Sequence, residues 1–255
     1  MSDYPQMIVP AGHVEPVPRR IRAFLGGQAV LDTTAARYVW ESPKYPQYYV
    51  PLEDVDASVL VDEDHARHRQ HGTARRYALR AGGQERPRAA WVYQTGELAG
   101  TVRLEWAAVD AWFEEDERVF VHPRSPYTRV DALRSTRHVR VELDGTVLAE
   151  SAAAVMLFET GLPTRYYFDP TSVDFGHLVA TDTVTACPYK GITSAYWSAQ
   201  VGDEVHPDVA WAYDFPTGQL SPIAGLVAFY NEQVDVSIDG ERLERPVTHF
   251  SRSAQ

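Results

Sequence analysis

The segment Cys187-Pro188-Tyr189-Lys190-Gly191 combines the residue types that a reactive thiol requires. Pro188 favours an extended Cys187, and Gly191 permits a sharp turn, so the Lys190 ammonium can lie near the sulfur. A nearby positive charge favours the thiolate, which is the nucleophilic form of cysteine. We predict catalytic roles for Cys187 as nucleophile and for Lys190 as the group that activates it or holds an anionic substrate. The alternative is a structural Cys187 that packs as a small hydrophobic residue.

Aromatic and charged residues nearby in the sequence could line a binding pocket, which is the usual form of a small-ligand site. Adjacent residues of a strand point to opposite faces, so we expect either Tyr166 or Tyr167, but not both, to face such a pocket. Their alternative role is an aromatic core. The predicted substrate-binding residues are Glu159, Arg165, Tyr166, Tyr167, Tyr196, Trp211 and Tyr213.

Other kinds of chemistry have weaker support. The spacing His65-x-x-His68-x-x-His71 would place three imidazoles on one face if residues 62–69 formed a helical turn. The surrounding arginines oppose a metal cation, so we predict no metal site. The sequence contains no Gly-rich phosphate loop, and we predict no cofactor. No base that would activate Cys187 is evident from the sequence; His177 and His206 are its nearest histidines along the chain.

The chain contains an internal duplication that relates these residues to a second set. Residues 21–60 and 139–178 align without a gap, and 11 of the 40 positions are identical. Average composition would give about two or three identities by chance. The first copy has His68 and His71-Gly72 where the second has Cys187 and Lys190-Gly191. We therefore predict one functional copy and one degenerate copy.

Short strands separated by turn residues must position the candidate site. Gly26-Gly27 and Asp144-Gly145 each lie between two strand-like runs, which is typical of a tight hairpin. The pattern predicts a mainly β chain with two similar small antiparallel domains, barrel- or sandwich-like, and few short helices. The expected divisions are an N-terminal arm over residues 1–19, a first, degenerate repeat domain over 20–113, a linker over 114–137, a second repeat domain over 138–245 and a tail over 246–255.

Composition narrows the classes of partner. The net charge of −11 and the absence of a basic stripe argue against nucleic acid and anionic membranes. No apolar run is long enough for a membrane helix, and the N-terminus lacks the pattern of a signal peptide. With one cysteine the chain has no intramolecular disulfide. We expect a cytoplasmic protein that binds a small molecule; the sequence does not indicate an oligomeric state.

Several segments of the second copy resemble a bacterial family called domain of unknown function 427. They are Phe158-Glu159-Thr160, Arg165-Tyr166-Tyr167-Phe168, Cys187-Pro188-Tyr189-Lys190-Gly191, Ala210-Trp211-Ala212-Tyr213 and Val227-Ala228-Phe229-Tyr230. The resemblance covers nearly the whole chain and implies a compact, mainly β fold in a tandem form. It implies no particular activity. The first copy departs from the family pattern at His68 and His71.

Two functions are compatible with these residues. One is a cysteine-assisted hydrolase or transferase that acts on a small organic substrate, with Cys187 as nucleophile. The other is a non-catalytic protein that binds a small ligand or a partner, in which Cys187 is buried and the aromatic residues hold the ligand. The rate at which Cys187 is alkylated in the folded protein distinguishes them.

Overall fold

The computed structural model describes residues 4–251 and divides the chain into two compact units. The first unit is Met7–Tyr127, and the second begins at Thr128 and includes residues 4–6. Both are built from antiparallel sheets with a few short 3-10 helices, which confirms the predicted fold class. Residues 1–3 of the predicted arm and 252–255 of the predicted tail lie outside the described residues.

The first unit contains eleven strands and three 3-10 helices. The strands are β1 (Val14–Pro16), β2 (Ile21–Leu25), β3 (Gln28–Thr33), β4 (Arg37–Ser42), β5 (Tyr45–Pro51), β6 (Leu60–Arg69), β7 (Gly72–Ala81), β8 (Gln84–Tyr93), β9 (Thr101–Leu104), β10 (Ala111–Glu114) and β11 (Glu117–Val119). The 3-10 helices are Leu52–Asp54, Ala57–Val59 and Trp106–Ala108.

The second unit, as far as it is described, contains thirteen strands and three 3-10 helices. The strands are β12 (Val130–Arg134), β13 (Val139–Leu143), β14 (Thr146–Ser151), β15 (Val155–Glu159), β16 (Arg165–Phe168), β17 (Leu178–Thr181), β18 (Ala186–Cys187), β19 (Gly191–Ile192), β20 (Ala195–Val201), β21 (Glu204–Ala212), β22 (Val227–Phe229), β23 (Asp235–Ile238) and β24 (Glu241–Arg242). The 3-10 helices are Pro170–Ser172, Phe175–His177 and Gly218–Ile223.

The two units have the same sheet topology. The first has a seven-stranded sheet in the order β1-β4-β5-β9-β8-β7-β6 and a four-stranded sheet in the order β11-β10-β2-β3. The second has the large sheet β12-β15-β16-β22-β21-β20-β17 and the small sheet β24-β23-β13-β14, so the strands of each sheet correspond one to one in the same order. The duplication seen in the sequence is therefore a duplication of the fold. The second unit adds the small hairpin β18–β19.

The predicted hairpins form because their central residues accept positive φ. Gly26 and Gly27 have φ of 58° and 78° between β2 and β3, and Asp144 and Gly145 have φ of 48° and 81° between β13 and β14. Such values suit the tight turn that joins two twisted antiparallel strands. Each hairpin contributes two of the four strands of the smaller sheet in its unit.

Each unit buries apolar residues on both faces of its seven-stranded sheet. In the second unit, one core combines residues of both sheets, such as Val141 and Phe168. A separate core on the other face contains Leu157, Tyr167 and Trp211 and is covered in part by the 3-10 helix Gly218–Ile223. The two smaller cores of the chain, one in each unit, lie on this second face of the large sheet.

The structure changes the description of three segments. Residues 14–16 of the predicted arm form β1 and pair with β4. The predicted linker contains β11 and β12, and Arg124 donates a 2.6 Å hydrogen bond to Glu114 within the first unit. The helical turn expected over residues 62–69 is wrong, because this segment is β6 and pairs with β7 over its length. Among the described residues, no helix combines the length and the apolar character that crossing a membrane requires.

Candidate functional site

Strand alternation places the predicted site on one face of the seven-stranded sheet of the second unit. Residues two apart on a strand share a face, so β16 directs Tyr167 to the same side as Trp211 of β21 and Leu157 of β15. Glu159 is two residues beyond Leu157 and lies on this side. The face is the one turned away from the four-stranded sheet.

The Cys187 segment forms a tight hairpin that is attached to a neighbouring loop. Cys187 pairs with Gly191 across β18 and β19. Gly191 has φ of 99°, a conformation that L side chains rarely adopt. Thr217 fixes the turn from outside: its amide donates to the Lys190 carbonyl at 3.1 Å, and its hydroxyl donates to the Tyr189 carbonyl at 2.6 Å.

The hairpin directs the Lys190 side chain onto the buried carboxylate of Glu159. Nζ of Lys190 donates to Oε2 of Glu159, and both residues are only 8% exposed. Burial alone would lower the pKa of Lys190, but the negative charges of Glu159, Cys187 and Tyr167 outweigh it and raise that pKa. Lys190 is therefore a permanent cation and not a neutral amine nucleophile at physiological pH.

Cys187 is half-buried and lies within electrostatic reach of Lys190, Tyr167 and Tyr213. Its thiolate form attracts the Lys190 ammonium and, after burial, is the largest cause that raises the pKa of Tyr213. Tyr213 therefore remains a neutral hydroxyl. Burial also raises the pKa of Tyr167, to about 12, despite the opposing charge of Lys190.

Within residues 4–251, the polar contacts of His177 and His206 do not include Cys187. His177 lies 3.4 Å from the Gln200 carbonyl and 3.8 Å from Asp174. His206 lies 3.1 Å from the carboxylate of Asp144. Both histidines are thus engaged with groups outside the Cys187 hairpin.

The remaining aromatic residues form a hydrogen-bonded layer next to the ion pair. The indole of Trp211 donates to the Tyr167 hydroxyl at 3.4 Å. The Tyr196 and Tyr230 hydroxyls lie 2.9 Å apart, and Thr185 contacts the Tyr196 hydroxyl at 3.0 Å. With the 6.5 Å between the ring centres of Tyr196 and Trp211, these contacts bring Tyr167, Tyr196 and Trp211 together; their role in binding a substrate stays a prediction.

Arg165 lies on the same face but serves a different ion pair. It donates two hydrogen bonds to Glu232, of 2.6 and 2.7 Å, and the Glu232 side chain is fully buried. Burial would raise the pKa of Glu232, but these hydrogen bonds and the Arg165 charge hold it below its ordinary value. The guanidinium also lies 5.5 Å from the Tyr230 ring and 5.7 Å from the Phe250 ring. Arg165 is thus saturated by structural partners.

Tyr166 is not brought to this group, because it points to the opposite face of β16. It belongs to the core between the two sheets and lines a separate cavity of about 540 Å³. That cavity is bounded further by Asn231 and by the C-terminal segment 243–247. Cys187 does not line this cavity, and it does not line a further cavity that is bounded by Asp235 and residues 242–245.

The three histidines considered as metal ligands do not lie on one face, because the segment that contains His65 and His68 is a strand. His65 and His68 are three apart on strand β6 and therefore point to opposite faces. Elsewhere, Asp144, Glu204 and His206 have potential ligand atoms within 4.8 Å of one another at an exposed position. The 3.1 Å ion pair between His206 and Asp144 accounts for the closest of these contacts.

Three residues that matter to this face were not predicted from the sequence. Glu232 neutralises Arg165, Tyr230 joins the hydroxyl layer, and Thr217 fixes the turn. Each follows a strand end or lies in a loop, where periodicity carries no information about direction. The resemblance motif ending at Tyr230 is the one sequence signal that includes any of them.

Comparison with known proteins adds the family relationship. A family model described as a domain of unknown function (DUF427) matches residues 13–115 and 131–240, once in each unit. A comparison with curated proteins gives no match. The two matched regions coincide with the two copies of the fold.

Proposed function

This chain belongs to the DUF427 family in a two-copy form, and from the geometry of its second copy we propose a thiol-dependent hydrolase or transferase for a small organic substrate. One observation carries the proposal. A buried ammonium, held by a buried carboxylate, lies on the same tight hairpin as the half-buried Cys187, three residues along the chain. A fixed cation close to a cysteine that is only partly buried is the kind of environment in which cysteines react.

In the proposed reaction, the Cys187 thiolate attacks an electrophilic carbon of the substrate. The sulfur–carbon bond forms as the π electrons of the carbonyl group on that carbon move to its oxygen; when the oxyanion collapses, the bond from the carbon to the leaving group breaks and the leaving group takes a proton from solvent. Water or a second acceptor then attacks the carbon and gives its proton to solvent, and the sulfur leaves as thiolate. Lys190 stabilises the negative sulfur in both steps, and the neutral Tyr213 hydroxyl is a hydrogen-bond donor for the developing oxyanion.

The free thiol also bears on location. A reactive cysteine without a disulfide partner persists as a thiol in a reducing compartment. We therefore place the proposed activity in the cytoplasm.

Alkylation by iodoacetamide tests the proposal directly, because Cys187 is the sole cysteine of the chain. We expect the folded protein to be alkylated faster than a free thiol near neutral pH. Lys190→Met should slow the reaction, Lys190→Arg should largely preserve it, and Lys44→Met should leave it unchanged. Lys44 is a matched control because it is the chain's one other lysine and is exposed.

Two results would contradict the proposal. One is a Cys187 that is alkylated only after unfolding, which needs no variant to observe. The other is an equal alkylation rate in wild type and in a folded Lys190→Met variant. Near-ultraviolet circular dichroism shows whether the variant keeps its tertiary packing.

The alternative function is non-catalytic binding of a small ligand, and the 540 Å³ cavity beside Tyr166 favours it. This volume lies within the range of ordinary ligand pockets. Native mass spectrometry of the purified chain would detect a retained ligand. An inert Cys187, together with a ligand that is lost when Tyr166→Trp fills the cavity, would favour binding over catalysis.

A further inference from the structure

The first unit carries arginines on the sheet face that corresponds to the Cys187 site. Its hairpin β6–β7 has two ten-residue strands, whereas β17 and β20 of the second unit have four and seven. Arg67 and Arg69 are two apart on the edge strand β6 and share a face. Each guanidinium carbon lies 4.7 Å from the ring centre of Trp91, the counterpart of Trp211.

These two arginines have more N–H donors than the neighbouring carboxylates can accept. Within residues 4–251, Arg67 has no carboxylate partner, and Arg69 lies 3.9 Å from Glu41, beyond hydrogen-bond distance. Glu41 is already engaged, because Arg103 lies 3.0 Å from it and the Tyr49 hydroxyl donates to it at 2.8 Å. Glu105 in turn pairs with Arg103.

A buried imidazole beside the same group supplies a second, independent observation. His71 is 9% exposed, and its Nε2 is buried without a hydrogen-bond partner among the residues described. The centres of the His71 and Tyr49 rings lie 6.2 Å apart, with the rings nearly perpendicular, and the Tyr49 hydroxyl donates to the Glu41 carboxylate. The next residue, Gly72, packs closely against the backbone of Thr95, because a Cβ at Gly72 would lie 1.9 Å from the Thr95 carbonyl oxygen.

The surplus of donors indicates a ligand of negative charge. The neighbouring Arg76 is neutralised by Glu63 at 2.7 Å, so it does not add to the surplus. Two arginine forks stacked on one indole suit the planar oxygens of a carboxylate or the tetrahedral oxygens of a phosphate. We propose that Arg67, Arg69 and His71 of the first unit form a binding site for a small molecule bearing such an oxyanion. The first copy then has its own chemistry instead of being degenerate.

Isothermal titration calorimetry at low ionic strength tests the site with two probes, inorganic phosphate and benzoate. The two probes distinguish a phosphate from a carboxylate preference. We expect saturable binding of one probe with one site per chain, and a loss of affinity with added salt. Arg67→Gln and Arg69→Gln should each weaken binding by about tenfold, as expected for losing one charge-assisted hydrogen bond.

The matched control is Arg80→Gln on the same hairpin. Arg80 is 61% exposed in its side chain and pairs with Glu85, so its removal changes the net charge equally without touching the site. We expect it to retain the wild-type affinity. His71→Gln should weaken binding, because the imidazole is replaced by a group of different reach.

The site is independent of the thiol of the second unit, so Cys187→Ser should bind the probes as wild type does. Absence of saturable binding by either probe would overturn the proposal. Equal weakening by all three arginine variants would overturn it as well, because that result indicates an effect of net charge alone. Loss of binding in Cys187→Ser would place the anion in the second unit and also refute the assignment.

Discussion

Removing either partner of the Lys190–Glu159 ion pair alone should destabilise the second unit far more than removing both. The two residues are each 8% exposed. Loss of one partner from a buried pair costs about 3–5 kcal/mol, because an unpaired charge remains in a low-dielectric environment. Replacing both by apolar groups of similar volume is often close to neutral. We therefore expect Lys190→Met to cost about 3–5 kcal/mol and Lys190→Met with Glu159→Leu to recover most of that loss.

Urea unfolding of the full chain measures the effect when each unit is followed separately. Hydrogen exchange of peptides from β15 and β16 reports the second unit, and peptides from β4 and β5 report the first. With an m value of about 1–3 kcal/mol per molar urea, a loss of 3 kcal/mol lowers the midpoint by about 1 M or more. Lys44→Met should stay within about 0.5 kcal/mol, as exposed substitutions do.

The double-mutant comparison also identifies the result that would refute the reasoning. A cost below about 1 kcal/mol for Lys190→Met would mean that the pair behaves like an exposed salt bridge. A double variant less stable than Lys190→Met would mean that the two side chains contribute by packing and not by charge. Either outcome would also remove the fixed cation on which the proposed thiol chemistry depends.

Three further predictions concern stability. The pKa of Glu232 is lower in the folded protein than its ordinary value of 4.5, so its contribution to stability is present above pH 4.5 and is lost as the pH falls through the pKa of the folded state. Acidification to pH about 3 should therefore lower the urea midpoint of wild type more than that of Glu232→Gln. Equal losses would contradict this prediction. Gly191→Ala should lower the free energy of unfolding by about 1–3 kcal/mol, because position 191 has a positive φ. Gly72→Ala should prevent the first unit from folding, because the added Cβ would lie 1.9 Å from a carbonyl oxygen. Comparable urea midpoints for the two variants would refute the steric argument. Tyr49→Phe removes a 2.8 Å hydrogen bond to a carboxylate and should cost about 1–3 kcal/mol. Its counterpart Tyr167→Phe loses a 3.4 Å contact and should cost less than about 1 kcal/mol, with thermal unfolding as the check.

The parts of the fold that depend on local patterns could be predicted from the sequence. Asp144-Gly145 predicts its hairpin because the tight turn needs positive φ at both residues. The alternation of strand residues predicts that Tyr166 and Tyr167 separate, and the structure places them on opposite faces. The repeat predicts a second copy of the same topology, because homologous sequences fold alike. These inferences need no knowledge of which strands are neighbours.

The parts that depend on distant partners could not be predicted in the same way. Glu159 and Lys190 are 31 residues apart, and Arg165 and Glu232 are 67 apart. Their pairing follows from the order of strands in the sheet, which a periodicity argument does not supply. The helical expectation for the β6 segment is wrong because this exposed edge strand carries charged residues on both faces and so lacks an apolar alternation.

Comparison of the two copies shows two ways of neutralising the same glutamate, which is half-buried in the first copy and buried in the second. Glu41 and Glu159 occupy the same position, but their cations come from different places. In the first copy Arg103, which pairs with Trp91 across the sheet, neutralises the glutamate; Ala228 holds the corresponding position beside Trp211 in the second. A buried carboxylate needs one cation, and a cation supplied by the sheet releases the turn from that requirement. The first copy thus has His71 at the turn, whereas in the second copy Lys190 of the turn is the cation that neutralises Glu159.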